Sequence, residues 1–73
     1  MKIKIKKDGR YFIRKIDETN SETIAIDDCE VGDIIKFRDY SDYVLIEESK
    51  WFKVLKTCYK TDSGIKTIDC DFI

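Results

Sequence analysis

The chain alternates short β-rich runs with polar turn segments, and this rhythm is the feature that most limits its fold. Runs rich in Val, Ile, Thr and aromatic residues recur about every ten residues, a spacing typical of small antiparallel β domains. No stretch keeps the apolar period of about 3.6 residues that a long amphipathic helix needs. The pattern predicts seven strands, at Lys2–Lys6, Arg10–Asp17, Thr23–Ile26, Asp33–Arg38, Tyr43–Glu47, Trp51–Tyr59 and Ile65–Cys70.

The small size of the chain limits its architecture further. Its 73 residues have room for a single domain, residues 1–73, and 42% of them are hydrophobic, which is enough for a globular core. We therefore expect an all-β fold: a small single-domain antiparallel barrel or sandwich, SH3-like or OB-like, with six to seven short strands. A domain of this size buries roughly 60% of the surface that the unfolded chain exposes, so little volume is left for a deep catalytic cleft.

The longest predicted strand, "WFKVLKTCYK", carries large apolar side chains on both of its faces. By strict alternation Trp51, Leu55 and Tyr59 share one face. Phe52 and Val54 share the other, together with Lys56 and Cys58. We therefore expect this strand to bend, so that its two halves serve different parts of a strongly curved sheet.

The opening segment, "MKIKIKKDGRYFIRK", places the turn signal Asp8-Gly9 between two alternating runs and predicts a β-hairpin. The length of the turn decides which residues share a face. A two-residue turn gives one face containing Ile3, Ile5, Phe12 and Arg14. A three-residue turn, with Gly9 at a bulge, gives a core face of Ile3, Ile5, Tyr11 and Ile13. The second register is favoured because it buries four apolar groups and no charge.

In the favoured register the outer side of this hairpin is basic and carries one aromatic ring. Its members are Lys2, Lys4, Lys6, Arg10, Phe12 and Arg14. Basic side chains can follow a phosphate backbone while an aromatic ring stacks on a base, so these residues are candidates for single-stranded nucleic-acid binding. The alternative interpretation is structural, because lysines on an exposed edge strand prevent edge-to-edge association.

Charge is distributed unevenly along the chain, although the net charge is only −1. Residues 1–15 hold seven basic residues and one acidic residue, a formal charge of +6. Residues 17–48 hold eleven acidic and two basic residues, a formal charge of −9. Either the two blocks lie side by side and neutralise each other, or each is available to a partner of opposite charge.

The sequence offers few groups suited to catalysis or to metal binding. It has no histidine, its three cysteines (Cys29, Cys58 and Cys70) are widely separated, and its glycines do not form a phosphate-binding loop. We therefore expect a protein that is not an enzyme and that uses no cofactor and no metal. Unpaired thiols suit a reducing compartment, and no apolar run is long enough to span a membrane, so we expect a cytoplasmic protein without membrane contact.

An acidic segment that contains two tyrosines is the main candidate binding site. It comprises Asp39, Tyr40, Asp42, Tyr43, Glu47 and Glu48. Because tyrosine is enriched at interaction hot spots and carboxylates repel phosphates, we expect this segment to bind a protein. The leading prediction is a non-catalytic protein–protein interaction module, in its sharper form an inhibitor that presents carboxylates where a nucleic-acid-handling partner expects phosphates. The alternative is a small β-barrel that binds single-stranded nucleic acid through the basic N-terminal hairpin.

Overall fold

Seven β-strands and one short 3-10 helix make up the computed structural model, which describes residues 2–73. The strands are β1 (Lys2–Lys6), β2 (Tyr11–Lys15), β3 (Ser21–Ile24), β4 (Ile34–Ser41), β5 (Val44–Glu48), β6 (Phe52–Lys60) and β7 (Lys66–Phe72), and the 3-10 helix covers Ile26–Asp28. No α-helix occurs among these residues. Each predicted strand is present with its ends within three residues of the expected positions, so the all-β prediction is confirmed.

The strands form one antiparallel sheet that is not closed. Its order is β1-β7-β6-β4-β2-β3, and β5 pairs with the C-terminal half of β4. Within residues 2–73, β1 pairs only with β7 and β3 only with β2, so no ladder of hydrogen bonds joins the two ends of the sheet. The sheet is therefore open between β1 and β3, and the SH3-like or OB-like barrel or sandwich stays a prediction.

The sheet curves around a single hydrophobic core. Its buried members are Ile5, Phe12, Ile26, Cys29, Ile35, Phe37, Phe52, Val54, Ile68 and Cys70. They come from β1, β2, β4, β6 and β7 and from the segment around the 3-10 helix. Since successive residues of a strand point to opposite sides, each of these strands turns one set of side chains towards the core and the other set away from it. Burial of each large side chain stabilises the fold by about 1.5–3 kcal/mol.

The predicted N-terminal hairpin is wrong, although its turn is present. The backbone N–H of Arg10 donates to the carbonyl of Lys7 at 2.6 Å, and both Asp8 (φ 29°) and Gly9 (φ 76°) lie in the left-handed region. The strands on either side then diverge, since β1 pairs with β7 whereas β2 lies between β3 and β4. Cross-strand pairs explain the choice: lysines of β1 lie opposite aspartates of β7, and Phe12 lies opposite Phe37.

The favoured division of faces in this segment is also wrong. Phe12, expected to face solvent, is 1% exposed in the core, whereas Tyr11, expected in the core, is 56% exposed. Arg14 lies on the same side of β2 as Phe12, where Glu22 and Asp33 bind its guanidinium. The faces therefore follow the division that a two-residue turn would give. The unpaired buried charge that argued against that division does not arise, because the Arg14 side chain is 33% exposed and pairs with two carboxylates.

β6 interrupts its own alternation twice. Its pairing with β7 shifts register between Val54 and Lys56 and again between Lys56 and Tyr59. Such bulges bend a strand and change which side its residues face. Strict alternation would put Lys56 in the core with Phe52 and Val54, but the first bulge places it opposite Asp69, on the side away from the core. The two bulges support the expected bend of this strand, and the assignment of Lys56 to the face of Phe52 is wrong.

Candidate interaction surfaces

The β4–β5 hairpin carries a contiguous run of exposed apolar groups, and Tyr43 at its tip is the most exposed large hydrophobic residue of the described chain. Asp42 (φ 50°) and Tyr43 (φ 67°) form its two-residue turn, and both lie in the left-handed region, as such turns require. Every residue of β5 is exposed, because β5 has a neighbouring strand on one side only. We call the exposed apolar groups of this region the hairpin surface: Tyr11, Tyr40, Tyr43, Val44, Leu45 and Ile46.

Two tyrosines from different strands give the hairpin surface a defined shape. The rings of Tyr11 in β2 and Tyr40 in β4 meet edge to face, with their centroids 5.4 Å apart. Together with Gly9, Asp42 and Tyr43 they line an open groove of about 590 Å³. Tyr43 at the tip is 101% exposed, so it contacts nothing that shields its ring from solvent. The turn at Asp8-Gly9 thus contributes to this surface and not to a basic hairpin.

The predicted carboxylates of this region differ in how they are paired. Asp39 lies 3.3 Å from the Arg10 guanidinium. Glu48 binds Lys36 at 2.5 Å and Arg38 at 3.1 Å, and hydrogen bonds from these two cations hold its pKa below the usual range.

The other two predicted carboxylates are less constrained. Asp42 and Glu47 are exposed and form no ion pair with residues 2–73. The six predicted protein-binding residues therefore lie on one hairpin, but only Asp42 and Glu47 leave their charge available to a partner.

The residues predicted to bind nucleic acid are not brought together. Lys2, Lys4 and Lys6 stay on the solvent side of β1. Arg10 lies 4.0 Å from the centre of the Phe37 ring and pairs with Asp39, and the pKa of Arg14 is raised chiefly by its hydrogen bond to Glu22. Phe12, as a core residue, has no face available to a base.

The basic and acidic blocks of the sequence meet within the chain. Arg10, Arg14 and Lys15 from the first block pair with Asp39, Glu22, Asp33 and Glu18 from the second. Neutralisation inside the molecule therefore accounts for part of the uneven charge. The lysines of β1 take no part in it, since they lie beside strands from the C-terminal half of the chain.

A different basic surface runs across β1, β7 and β6, on the side away from the core. Three cross-strand rows build it: Lys2–Asp71–Lys53, Lys4–Asp69–Lys56 and Lys6–Thr67–Tyr59. Asp69 is only 3% exposed; its carboxylate accepts a hydrogen bond from the Tyr59 hydroxyl at 2.6 Å and lies 3.3 Å from the Lys2 ammonium. These contacts, with that of Tyr59 the strongest, hold the pKa of Asp69 below its ordinary value.

The same side of the sheet continues through Trp51 towards β4 and β2. The ammonium groups of Lys36 and Lys15 lie 4.6 Å and 5.6 Å from the centre of the half-buried Trp51 ring. Trp51 also borders a groove of about 480 Å³ together with Lys15, Ile34, Lys50, Phe72 and Ile73. We call the side of β1, β7, β6, β4 and β2 that lies away from the core, together with Glu48 of β5 beside Arg38, the outer face. Its charged members are Lys2, Lys4, Lys6, Lys15, Lys36, Arg38, Glu48, Lys53, Lys56, Asp69 and Asp71.

The three cysteines are unpaired thiols with little nucleophilic character. Cys29 and Cys70 are buried, and Cys58 packs against the core. Burial raises the pKa of Cys29 to about 11 and that of Cys70 to about 12, and it also raises the pKa of Cys58. At neutral pH these groups are therefore thiols and not the reactive thiolates.

Within residues 2–73 no cluster of three or more His, Cys, Asp or Glu side chains has an arrangement that could hold a metal ion. None of the described helical segments has the length and apolarity needed to span a membrane. Comparison of the chain with protein-family models, curated proteins and solved structures finds no match.

Proposed function

We propose that this protein is a non-catalytic protein-binding domain and that its contact is the hairpin surface. The observation that carries the proposal is the complete exposure of Tyr43, at 101%, beside Val44, Leu45 and Ile46 on a strand that has only one neighbour. Contiguous apolar groups of this kind mark interaction sites in soluble proteins. An aromatic anchor surrounded by aliphatic groups is also the usual composition of an interface hot spot.

The backbone conformation of Tyr43 supports the same proposal. Tyr43 occupies a left-handed backbone conformation that costs a non-glycine residue about 1–2 kcal/mol. A turn selected for stability alone would have glycine or asparagine there. Retaining a tyrosine at this position is consistent with a function for its ring outside the folded chain.

Two carboxylates beside the apolar groups indicate the charge of the partner. Asp42 and Glu47 lie at the border of the apolar groups and have no cation of residues 2–73 to neutralise them. A partner with an apolar depression and a basic rim would bury Tyr43 and pair with both carboxylates. Basic rims of this kind occur on proteins that handle nucleic acids, so inhibition of such a protein, with carboxylates at the phosphate positions, is the sharper form of the proposal.

The compartment is part of the proposal as well. Three unpaired thiols are the state expected in a reducing environment. We therefore assign the protein and its partner to the cytoplasm.

Site-specific photo-crosslinking tests the proposal. A benzoylphenylalanine at position 43 is compared with the same group at Val31, which is also exposed but lies on a loop distant in sequence. We expect a defined protein adduct from position 43 only, and direct binding of the purified adduct partner that is lost on Tyr43→Ser and kept on Val31→Ser. Adducts solely with a second copy of the chain, or the same adducts from both positions, would refute a hairpin that binds a different protein.

A further inference from the structure

We propose that the outer face binds single-stranded nucleic acid, independently of the hairpin surface. Among the charged side chains of this face are eight cations and three carboxylates, a formal charge of +5 in a chain whose net charge is −1. Strand alternation therefore places an excess of positive charge on the outer face and leaves an excess of negative charge on the rest of the chain. A face of one sign attracts a polymer of the opposite sign.

Position in the sheet argues against a purely protective role for these lysines. Lysines on β1 can be explained as protection of an edge strand. Lys53 cannot, because it has Asp71 of β7 on one side and Ile34 of β4 on the other. The bulge before Lys56 also turns this residue outwards at a position where strict alternation would bury it. Lys53, in the middle of the sheet, therefore needs another explanation, and binding to phosphates supplies one.

Asp69, one of the three carboxylates of the outer face, does little to oppose a phosphate. Asp69 is buried beneath its neighbours, and the Tyr59 hydroxyl and the Lys2 ammonium both contact it, while the Lys2 side chain itself is 62% exposed. An approaching polymer therefore meets ammonium groups before it meets this carboxylate. Within β1 the outward lysines are spaced by two residues, about 6.8 Å, which gives a regular line of positive charge.

Trp51 explains why the polymer should be single-stranded. Its half-buried ring lies between Lys36 and Lys15 and borders the groove that also contains Phe72. A base that stacks on this edge would bring its phosphates within reach of both ammonium groups. Only unpaired bases can reach an aromatic ring in this way, since the bases of a duplex stack on one another.

A titration with the full chain tests the proposal, because its only tryptophan is at the site. Oligothymidine of about 20 nucleotides is added at salt concentrations of about 50 mM and about 150 mM, with Trp51 emission and the anisotropy of a labelled oligonucleotide as readouts. We expect saturable quenching of Trp51, weaker binding at the higher salt, and weaker binding of a duplex of the same length.

Matched charge variants decide where the oligonucleotide binds. Lys53→Gln/Lys56→Gln should weaken binding about tenfold and lower the slope of log affinity against log salt by about 1.4, because each lost phosphate contact accounts for about 0.7. Lys60→Gln/Lys66→Gln removes the same charge from the opposite side of β6 and β7 and should change affinity less than about twofold.

Four results would overturn the proposal. They are the absence of binding at low salt, equal loss in the two double variants, binding that leaves Trp51 emission unchanged, and equal affinity for duplex DNA or for heparin.

Discussion

The β1–β7–β6 region and the β4–β5 hairpin are both antiparallel, yet one is closely packed and the other is not. β7 has a neighbour on each side, and four consecutive residues of it, Thr67 to Cys70, are buried, a carboxylate among them. β5 contains the apolar run Val44–Ile46, but it has one neighbour and no buried residue. An apolar sequence therefore does not by itself bury a strand of this fold, since β5 stays outside the core to which β7 contributes Ile68 and Cys70.

The sharpest test of this comparison is the same substitution in both regions. Ile68→Ala should lower the free energy of unfolding by about 2–5 kcal/mol, because it opens a cavity in the core where Ile68 is 0% exposed. Ile46→Ala, at a residue 65% exposed, should lower it by less than about 0.5 kcal/mol. Urea denaturation followed by Trp51 fluorescence measures both. Equal losses would mean that β5 is packed against something in solution, such as a second copy of the chain.

A smaller effect is expected from the buried carboxylate of the outer face. Asp69→Asn should cost about 1–3 kcal/mol, since it weakens the hydrogen bond from Tyr59 and leaves Lys2 without its anionic partner. Glu47→Gln, which removes an exposed carboxylate from β5, should leave the urea midpoint unchanged.

The pH dependence of stability gives a further test of Asp69, through comparison of the unmodified protein with Asp69→Asn. The pKa of Asp69 is lower in the folded state than its ordinary value of about 4. Its contribution is therefore present above pH 4 and is lost as the pH falls through the lower, folded value. Stability of the unmodified protein should thus decrease more steeply below pH 4 than that of Asp69→Asn. Parallel pH profiles for the two proteins would contradict the assignment.

The smallest effect has the opposite sign and lies in the hairpin. Tyr43→Gly should raise the free energy of unfolding by about 1 kcal/mol, because glycine adopts the left-handed conformation without strain. Gly9→Ala, at the other turn bordering the groove, should lower it by a similar amount. Thermal denaturation of both variants checks the pair. Loss of stability on Tyr43→Gly would show that the tyrosine ring contributes contacts to the folded chain.

Local patterns account for most of the fold but not for its connections. Alternation and turn residues were sufficient to place all seven strands, because both act over a few neighbouring residues. The partner of β1 depends on an ion-pair arrangement with β7 at the other end of the chain, which no local pattern contains. The burial of Phe12 was missed for a similar reason: it places Arg14 on the same side, and the two carboxylates that make this acceptable come from β3 and from the segment before β4.

The two candidate surfaces also differ in how far local sequence patterns could predict them. Asp42 and Tyr43 are adjacent in sequence, so their presence on one hairpin could be predicted. The outer face unites Lys4 with Lys56, and this needed both the strand order and the bulge in β6. Neither of these can be inferred from the alternation of single residues, which treats every strand as regular.

The pairing of β1 with β7 also has a consequence for how the protein is made. Lys2 lies opposite Asp71, so β1 is synthesised before the other six described strands but pairs with the last of them, β7. Contacts between such distant parts of a chain slow folding, typically to milliseconds or seconds for β domains of this kind. During synthesis the lysines of β1 remain solvated and charged, which keeps β1 soluble until β7 emerges.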